Sequence, residues 1–303
     1  MLEIVTDMNT FGEKWTFTSF GESHGAAIGG VLDGVPAGLH IDFSKIRAEL
    51  ERRSKGGSVR AAREPDEVEW LSGVLDGVTL GTPIAFIIRN KDARPEDYEY
   101  LKHTYRVGHA DKVYELKYGI RDWRGGGRAS ARETASRVVA GSIAKQQLEQ
   151  QGIRIEAKLV QVGEATEPDK MAETIATYQR EGDSIGGIIE CRISGLPVGT
   201  GEPIFDKLQA HLAYAVMSIN ACKGFEYGTG FAGVTQPGSA INHISGGIAG
   251  GISDGSEITF RCVFKPTPST PKAGVKGRHD ACVAVRAVPV VEAMTALSLV
   301  QFL

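Results

Sequence analysis

The feature that most constrains this chain is the run 130–151, which reads as its strongest helix. Val138, Val139, Ile143, Ala144 and Leu148 form one apolar flank, small residues dominate the rest, and there is little charge until Lys145. A helix that is apolar or small around most of its circumference needs cover on several sides, so the fold must be built around it. The run is entered through Arg124-Gly125-Gly126-Gly127-Arg128-Ala129-Ser130-Ala131-Arg132-Glu133. Glycines let backbone N–H groups turn toward a ligand, and a helix start adds partial positive charge. Arg124, Arg128 and Arg132 surround the same point, so the stretch reads as a seat for a multiply charged anion such as phosphate. A glycine-rich turn with solvated arginines is the alternative.

The rest of the chain supplies strands to cover that helix. Residues 15–20 and 26–33 read as strands joined by Gly21-Glu22-Ser23-His24-Gly25, which puts a Ser-His pair at a sheet edge. Residues 42–53 read as a helix capped by Asp42 or Ser44, with Ile46 and Leu50 on one face. Residues 68–75 and 83–89 read as strands and 96–101 as a short helix. Further on, 153–162, 184–193 and 257–264 read as strands, and 169–178 and 205–219 as helices. The end, 288–303, reads as an apolar helix with Pro289 in its first turn. No regular β-α alternation appears, which argues against Rossmann and TIM architectures. The expectation is an α+β fold of one domain over 1–303, with antiparallel sheets packed on central helices. Residues 1–8 read as an N-terminal extension; with Met8 as the start, it is Met1 to Asp7. Gly-Gly-Val-Leu-Asp-Gly at 29–34 and Gly-Gly-Ile-Ser-Asp-Gly at 250–255 hint at an internal duplication.

Composition narrows the chemistry. With 303 residues, 42% hydrophobic and 23% charged, the chain can bury a large core. The net charge of -3 means that an anion site must be a local arginine cluster, not a global field. Cys191, Cys222, Cys262 and Cys282 form no CxxC pair, so the expectation is reduced buried thiols in a cytoplasmic protein. No stretch approaches the roughly 20 apolar residues of a membrane span, and 1–10 has no signal-peptide run.

Local clusters carry the functional expectation. Basic residues gather at 52–60 in a glycine loop, at Arg106, and at 124–132. Histidines stand beside glycine at His24, His109 and His279, the last followed by Asp280. Neither GxxxxGK[ST] nor HExxH occurs, so a Walker-type nucleotide site and a zinc hydrolase are not supported. From the residues alone, the chain is an enzyme acting on a phosphorylated anionic small molecule with histidine acid/base help. A basic-loop nucleic-acid binder competes, but the loop lacks aromatic residues. A regulatory protein with a dead site is the other rival.

A set of motifs runs in order along the chain. They are Phe20-Gly21-Glu22-Ser23-His24-Gly25, Arg106-Val107-Gly108-His109-Ala110-Asp111, and Tyr118-Gly119-Ile120-Arg121-Asp122 through Gly125 to Thr134. Ser218-Ile219-Asn220-Ala221, Gly250-Gly251-Ile252-Ser253, Lys265-Pro266-Thr267, Gly277-Arg278-His279-Asp280 and Arg286-Ala287-Val288-Pro289 follow. Taken together, they resemble the chorismate synthase family, and the resemblance covers about 9–303. It implies a 1,4-elimination of phosphate from 5-enolpyruvylshikimate 3-phosphate, reduced FMN without net redox change, and a homotetramer with helices between antiparallel sheets. It implies no nucleic-acid or membrane partner, and an external flavin reductant, since no region is left over for a reductase domain.

Carried over residue by residue, the resemblance implies that His24 protonates the leaving phosphate and His109 the reduced flavin. Asp280 would help the flavin take the C6 proton, and Ser23 and Ser130 would hold hydrogen bonds nearby. Arg53, Arg60, Arg106, Arg128 and Arg278 would neutralise phosphate and carboxylates, to which their forks are matched. Arg128, Ala129, Ser130, Asn220, Ala221, Gly250, Lys265, Pro266, Thr267, Pro268, Ser269 and Arg278 would line the flavin. The family usually has serine at Ala129 and proline at Ala281. Three loops are short against the family pattern: 53–64 by about two residues, 224–242 by roughly ten, and 269–276.

Overall fold

The computed structural model describes residues 9–55, 66–91, 93–239, 245–275 and 279–303. Its first sheet has five antiparallel strands in the order β1 (Thr10–Phe11), β2 (Thr16–Phe20), β3 (Ala27–Asp33), β7 (Ile84–Arg89), β4 (Val68–Trp70). The second has four antiparallel strands in the order β10 (Cys222–Tyr227), β13 (Ile258–Phe264), β9 (Gly187–Ser194), β8 (Arg154–Val162). Two short ladders, β5 (Val74–Leu75) with β6 (Val78–Thr79) and β11 (Ile248–Ala249) with β12 (Ile252–Ser253), stand apart. Both large sheets show the two-residue period of a strand with one buried face. Ile84, Phe86 and Ile88 point inward on β7, as do Ile258, Phe260, Cys262 and Phe264 on β13.

Six α-helices accompany the sheets among the described residues. They are α1 (Phe43–Lys55), α2 (Asp111–Tyr118), α3 (Thr134–Gln150), α4 (Pro168–Arg180), α5 (Leu208–Met217) and α6 (Ala284–Leu299), of which α3, α4, α5 and α6 touch the strands. Helices α3 and α6 share the most extensive helix contact; α1 touches both, and α5 packs on α6. Helix α3 meets β2 and β3, and α6 meets β8 and β9. The small residues of α3 now have a reason. A Cβ on Gly141 would lie 2.3 Å from Ala293 Cβ of α6, so the two helices approach too closely for any side chain there. One continuous buried cluster takes in Phe86 of the first sheet, Ile143 and Val291 of the helices and Phe260 of the second sheet.

Several elements differ from the sequence expectations. The 68–75 run splits into β4 and β5 around Gly73, whose φ of +82° turns the chain. Residues 222–227, not foreseen as a strand, form the edge strand β10, and α2 was not foreseen either. Helix α6 begins at Ala284, so Pro289 lies inside it rather than in its first turn. The 29–34 and 250–255 echo has no common structure. The first is most of a seven-residue central strand and the second belongs to a two-residue hairpin. The long helix starts at Thr134, after two 3₁₀ turns at Gly127–Ala129 and Ala131–Glu133.

Candidate active site

Those turns change the meaning of the glycine-arginine stretch. Three of its amides are used within it and are not offered to an anion: Ala129 N donates to Gly126 O, Ser130 N to Gly127 O and Glu133 N to Ser130 O. Instead Gly125, at φ +67°, lies against the His24 ring, where a Cβ would come within 2.1 Å of Nδ1. The stretch seats a histidine. Of its three arginines, Arg124 folds onto Asp122 with Nε 2.8 Å from Oδ1. Arg128 donates to the carbonyls of Ser19 and Gly21, each at 3.2 Å. Only Arg132 reaches the cavity.

That cavity has a volume of about 620 Å³. His24 enters it from the β2–β3 loop. Asn90, just past β7, holds this loop by donating Nδ2 to Glu22 O (3.0 Å) and Gly25 O (2.9 Å). Ser23 Oγ lies 3.0 Å from His24 Nδ1, and the Tyr98 ring meets the imidazole edge-on at 4.7 Å. Nδ1 is thereby engaged with Ser23, and Nε2 is the nitrogen suited to exchange a proton with a bound molecule.

His109 enters from the loop before α2. Its Nδ1 is 2.9 Å from Asp111 Oδ1, close enough to pair although not aligned for a hydrogen bond. The same carboxylate accepts from Arg106 twice, Nε at 2.9 Å and Nη2 at 2.8 Å, and from Arg106 N at 3.1 Å. Arg106 Nη2 also donates to Gly125 O at 2.9 Å, tying this cluster to the seat of His24. Burial alone would raise the Asp111 pKa. The hydrogen bonds from Arg106 and the nearby His109 outweigh it, and the carboxyl is held well below the usual range.

A third cluster lies at the end of α1. Arg53 is buried, donating Nε to Thr134 Oγ1 (3.0 Å) and Nη2 to Ala131 O (2.5 Å). Its Nη1 is 3.6 Å from Asp66 Oδ2, while Asp66 Oδ1 accepts from Arg132 Nη1 at 2.5 Å. Arg132 Nε donates to Asn90 Oδ1 at 3.0 Å. Burial pushes the Arg53 guanidinium down to about 10, only partly offset by Asp66. Nearby, Arg286 Nε lies 3.3 Å from Asp280 Oδ1.

Ala129, Ser130, Asn220, Ala221, Lys265, Thr267, Pro268 and Ser269 line the facing wall. Thr267 Oγ1 donates to Asp280 O at 3.1 Å, and Lys265 N to Ala221 O at 3.0 Å. Two buried atoms here, Asn220 Oδ1 and His279 Nε2, have no hydrogen-bond partner among the described residues.

Of the expected site residues, Ser23, His24, Arg53, Arg106, His109, Ser130 and Asp280 come together in the cavity with that wall. Three others do not join them. Arg128 is turned away onto β2, Gly250 sits at the exposed tip of the β11–β12 hairpin, and Pro266 is not in the lining. Arg60 and Arg278 lie outside the described residues, as do 1–8 and most of the basic 52–60 loop. Residues missed include Asp66, Asn90, Tyr98, Tyr114 and Arg286. Arg286 stood in a quoted motif, and Arg132 in the opening stretch. Asp66, inside Glu64-Pro65-Asp66-Glu67, carries no signal of its own.

The sequence model of the chorismate synthase family matches residues 15–303. The chain belongs to that family. It is similar to chorismate synthase of Christiangramia forsetii, 46% identical over 97% of this chain and 97% of the relative, and to that of Parabacteroides distasonis, 47% identical over 98% of each. A solved structure described as a chorismate synthase superposes with a TM-score of 0.76 at 29% identity, covering 96% of this chain and 92% of the other. With the family comes the class: the chain is an enzyme, a lyase of the shikimate pathway of aromatic amino-acid biosynthesis. The first alignment is 344 positions long but takes in only 97% of a 303-residue chain. About 50 of its positions thus fall opposite gaps, more than the loop comparison foresaw, and loops are where such differences gather.

Among the described residues, no helix is long and apolar enough to cross a membrane.

Proposed function

We propose that this cavity carries the anti-1,4-elimination of phosphate from 5-enolpyruvylshikimate 3-phosphate, giving chorismate. One observation supports it most. His24 and His109, from separate segments, share a cavity in which Arg53, Arg106, Arg132, Arg286 and Lys265 gather. Multiply charged anion binding and proton donation are the two things this reaction requires of a protein.

Reduced FMN fits the residues present. Asn220 Oδ1 and His279 Nε2 are buried and unsatisfied, which is costly, and a flat ring edged with N–H and C=O groups can meet both. Ala129, Ser130, Asn220, Ala221, Lys265, Thr267, Pro268 and Ser269 would hold it. When bound, reduced FMN supplies an electron-rich ring that lends charge transiently to the allylic system. The protein does the rest. Arg53, Arg106 and Arg132 supply the positive charge that neutralises phosphate and carboxylates. His24 Nε2 gives its proton to the departing phosphate, with Nδ1 held by Ser23. His109, oriented by Asp111, keeps a second proton in the cavity. Asp280, beside Arg286, assists removal of the C6 proton. Arg60 and Arg278 belong to the same set by family resemblance.

The same proposal extends to architecture. The chain is one domain whose helix layer α1, α3, α5 and α6 is sandwiched between the two large sheets, as the contacts of α3 and α6 support. Four copies assemble in the cytoplasm; strongly exposed Phe205, Phe231 and Val234 support further burial between chains. Reduced flavin comes from an external donor.

Anaerobic phosphate release from 5-enolpyruvylshikimate 3-phosphate with chemically reduced FMN tests the function. The wild type should turn over. His24→Ala and His109→Ala should each be slower by about 10²-fold or more, the usual contribution of a positioned general acid. No release above background sinks the proposal, and unchanged rates in either variant remove that histidine from it.

A further inference from the structure

The charges at the end of α1 are arranged in an unusual way for a resting site. Two arginines converge on one carboxylate. Arg132 makes a close bond to Asp66 Oδ1, and Arg53 faces Oδ2 from 3.6 Å, near enough to attract but too far for a hydrogen bond. Asp66 and Arg53 both line the cavity, and their side chains are only 11% and 4% exposed. Arg286 adds a third cation within electrostatic range of Arg53. Against these three cations stand Asp66 and Asp280. Counting these five described residues alone, one positive charge is in excess, in a place where burial already works against Arg53 keeping its proton.

A ligand oxyanion seeking the forks of Arg53 and Arg132 meets Asp66 in that position. A carboxylate left beside an incoming anion repels it by an amount comparable to what the arginines offer. On the reading of this cavity as the site of a phosphorylated substrate, we infer that Asp66 is a displaceable counterion. It satisfies Arg53 and Arg132 in the ligand-free protein and gives way when a ligand oxyanion takes its place. Two features suit this. Asp66 is bound through its own side chain to both arginines and precedes β4, so a change of side-chain rotamer frees both forks without moving the sheet. Arg132 stays anchored by Asn90 and Arg53 by Thr134 and Ala131, so the forks keep their positions when Asp66 leaves. Asp66 thereby sets a threshold. Weakly charged anions do not compete with a carboxylate already in place, and a phosphate dianion does.

The sign of one measurement separates this from a structural role. Inorganic phosphate is titrated by calorimetry into the full-length wild type, Asp66→Asn and Asp66→Ser. The counterion role predicts phosphate binding about tenfold tighter in both variants, the factor that roughly 1.4 kcal/mol carries. It also predicts a larger rise in melting temperature per added phosphate. A variant that folds only with phosphate present supports the role equally. Equal or weaker phosphate binding overturns it, because Asp66 would then be a strut that aligns the arginines. Failure of both variants to fold in either buffer also overturns it, since an oxyanion could not replace the carboxylate. Acetate titrated in parallel shows whether the gain favours the dianion; a gain for acetate alone contradicts the threshold. Loss of the proposed turnover would overturn the reaction and leave this comparison readable. Unchanged phosphate binding with normal turnover would overturn only Asp66.

Discussion

Arg52 and Arg53 are neighbours at the end of the same helix, and their surroundings could hardly differ more. Arg52 turns to a cluster inside the helix layer. It pairs with Glu49 at 2.6 Å and Glu292 at 2.9 Å, and Lys145 joins the same two carboxylates at 2.7 and 2.6 Å. Glu292 also accepts from Ala157 N at 2.9 Å, linking α6 to β8. Two cations meet two anions, and each bond has a second to support it. Burial would raise the Glu292 pKa, but Arg52 and Lys145 bring it below the usual carboxyl value. Arg53 turns to the cavity, where Asp66 is shared and positive charge is left over. Completed pairing marks charges that hold the fold. Incomplete pairing, with Asn220 and His279 atoms of the same cavity lacking a partner among the described residues, marks charges held ready for a ligand.

The contrast can be broken most strongly at Glu292. Glu292→Leu should lose about 3 kcal/mol in urea denaturation, because mostly buried Lys145 and the Ala157 amide lose a shared carboxylate and half-exposed Arg52 loses its bidentate partner. Turnover per folded molecule should change little. A large loss of turnover at unchanged stability would erase the distinction between the two clusters. Gly125→Ala comes next. It combines a left-handed backbone with a Cβ thrust into His24, so kcat should fall while stability drops by about 1–3 kcal/mol. A variant with normal kcat would show that the His24 seat tolerates movement.

The smallest effect concerns pH. The Asp111 carboxyl is depressed in the folded protein, so its stabilisation is present above the unfolded value of about 3.9 and is lost as pH falls below it. The stability gap between wild type and Asp111→Asn, followed by thermal melts, should therefore narrow from about pH 4 downward. A gap that stays constant would mean that Asp111 packs without pairing to Arg106 and His109.

How much of this was legible before the structure depends on the reach of each signal. Alternation announced 153–162, which is β8, and the runs 26–33, 83–89, 184–193 and 257–264 also read as strands, which are β3, β7, β9 and β13. The run 222–227 was hidden by Gly224 and by the apolar helix before it, and α2 by its exposed Val113 and Leu116. His24 and His109 were legible because each sits in a glycine context that the family motifs repeat. Asp66, Asn90 and Tyr98 were not, because their roles come from contacts across the fold: Asn90 touches residues 65 and 68 positions back along the chain. Arg128 shows the converse. A motif can name an arginine without saying that Ser19 and Gly21 will claim its fork.

The most direct test of the contrast is the dissociation constant for 5-enolpyruvylshikimate 3-phosphate in Arg53→Met against that in Arg52→Met. Arg53→Met should weaken binding by about tenfold or more, the loss of one charge-assisted fork, and Arg52→Met should leave it within about twofold while lowering the melting temperature. Equal losses in the two variants, or a larger one in Arg52→Met, would contradict the division of this helix end into one arginine for the fold and one for the ligand.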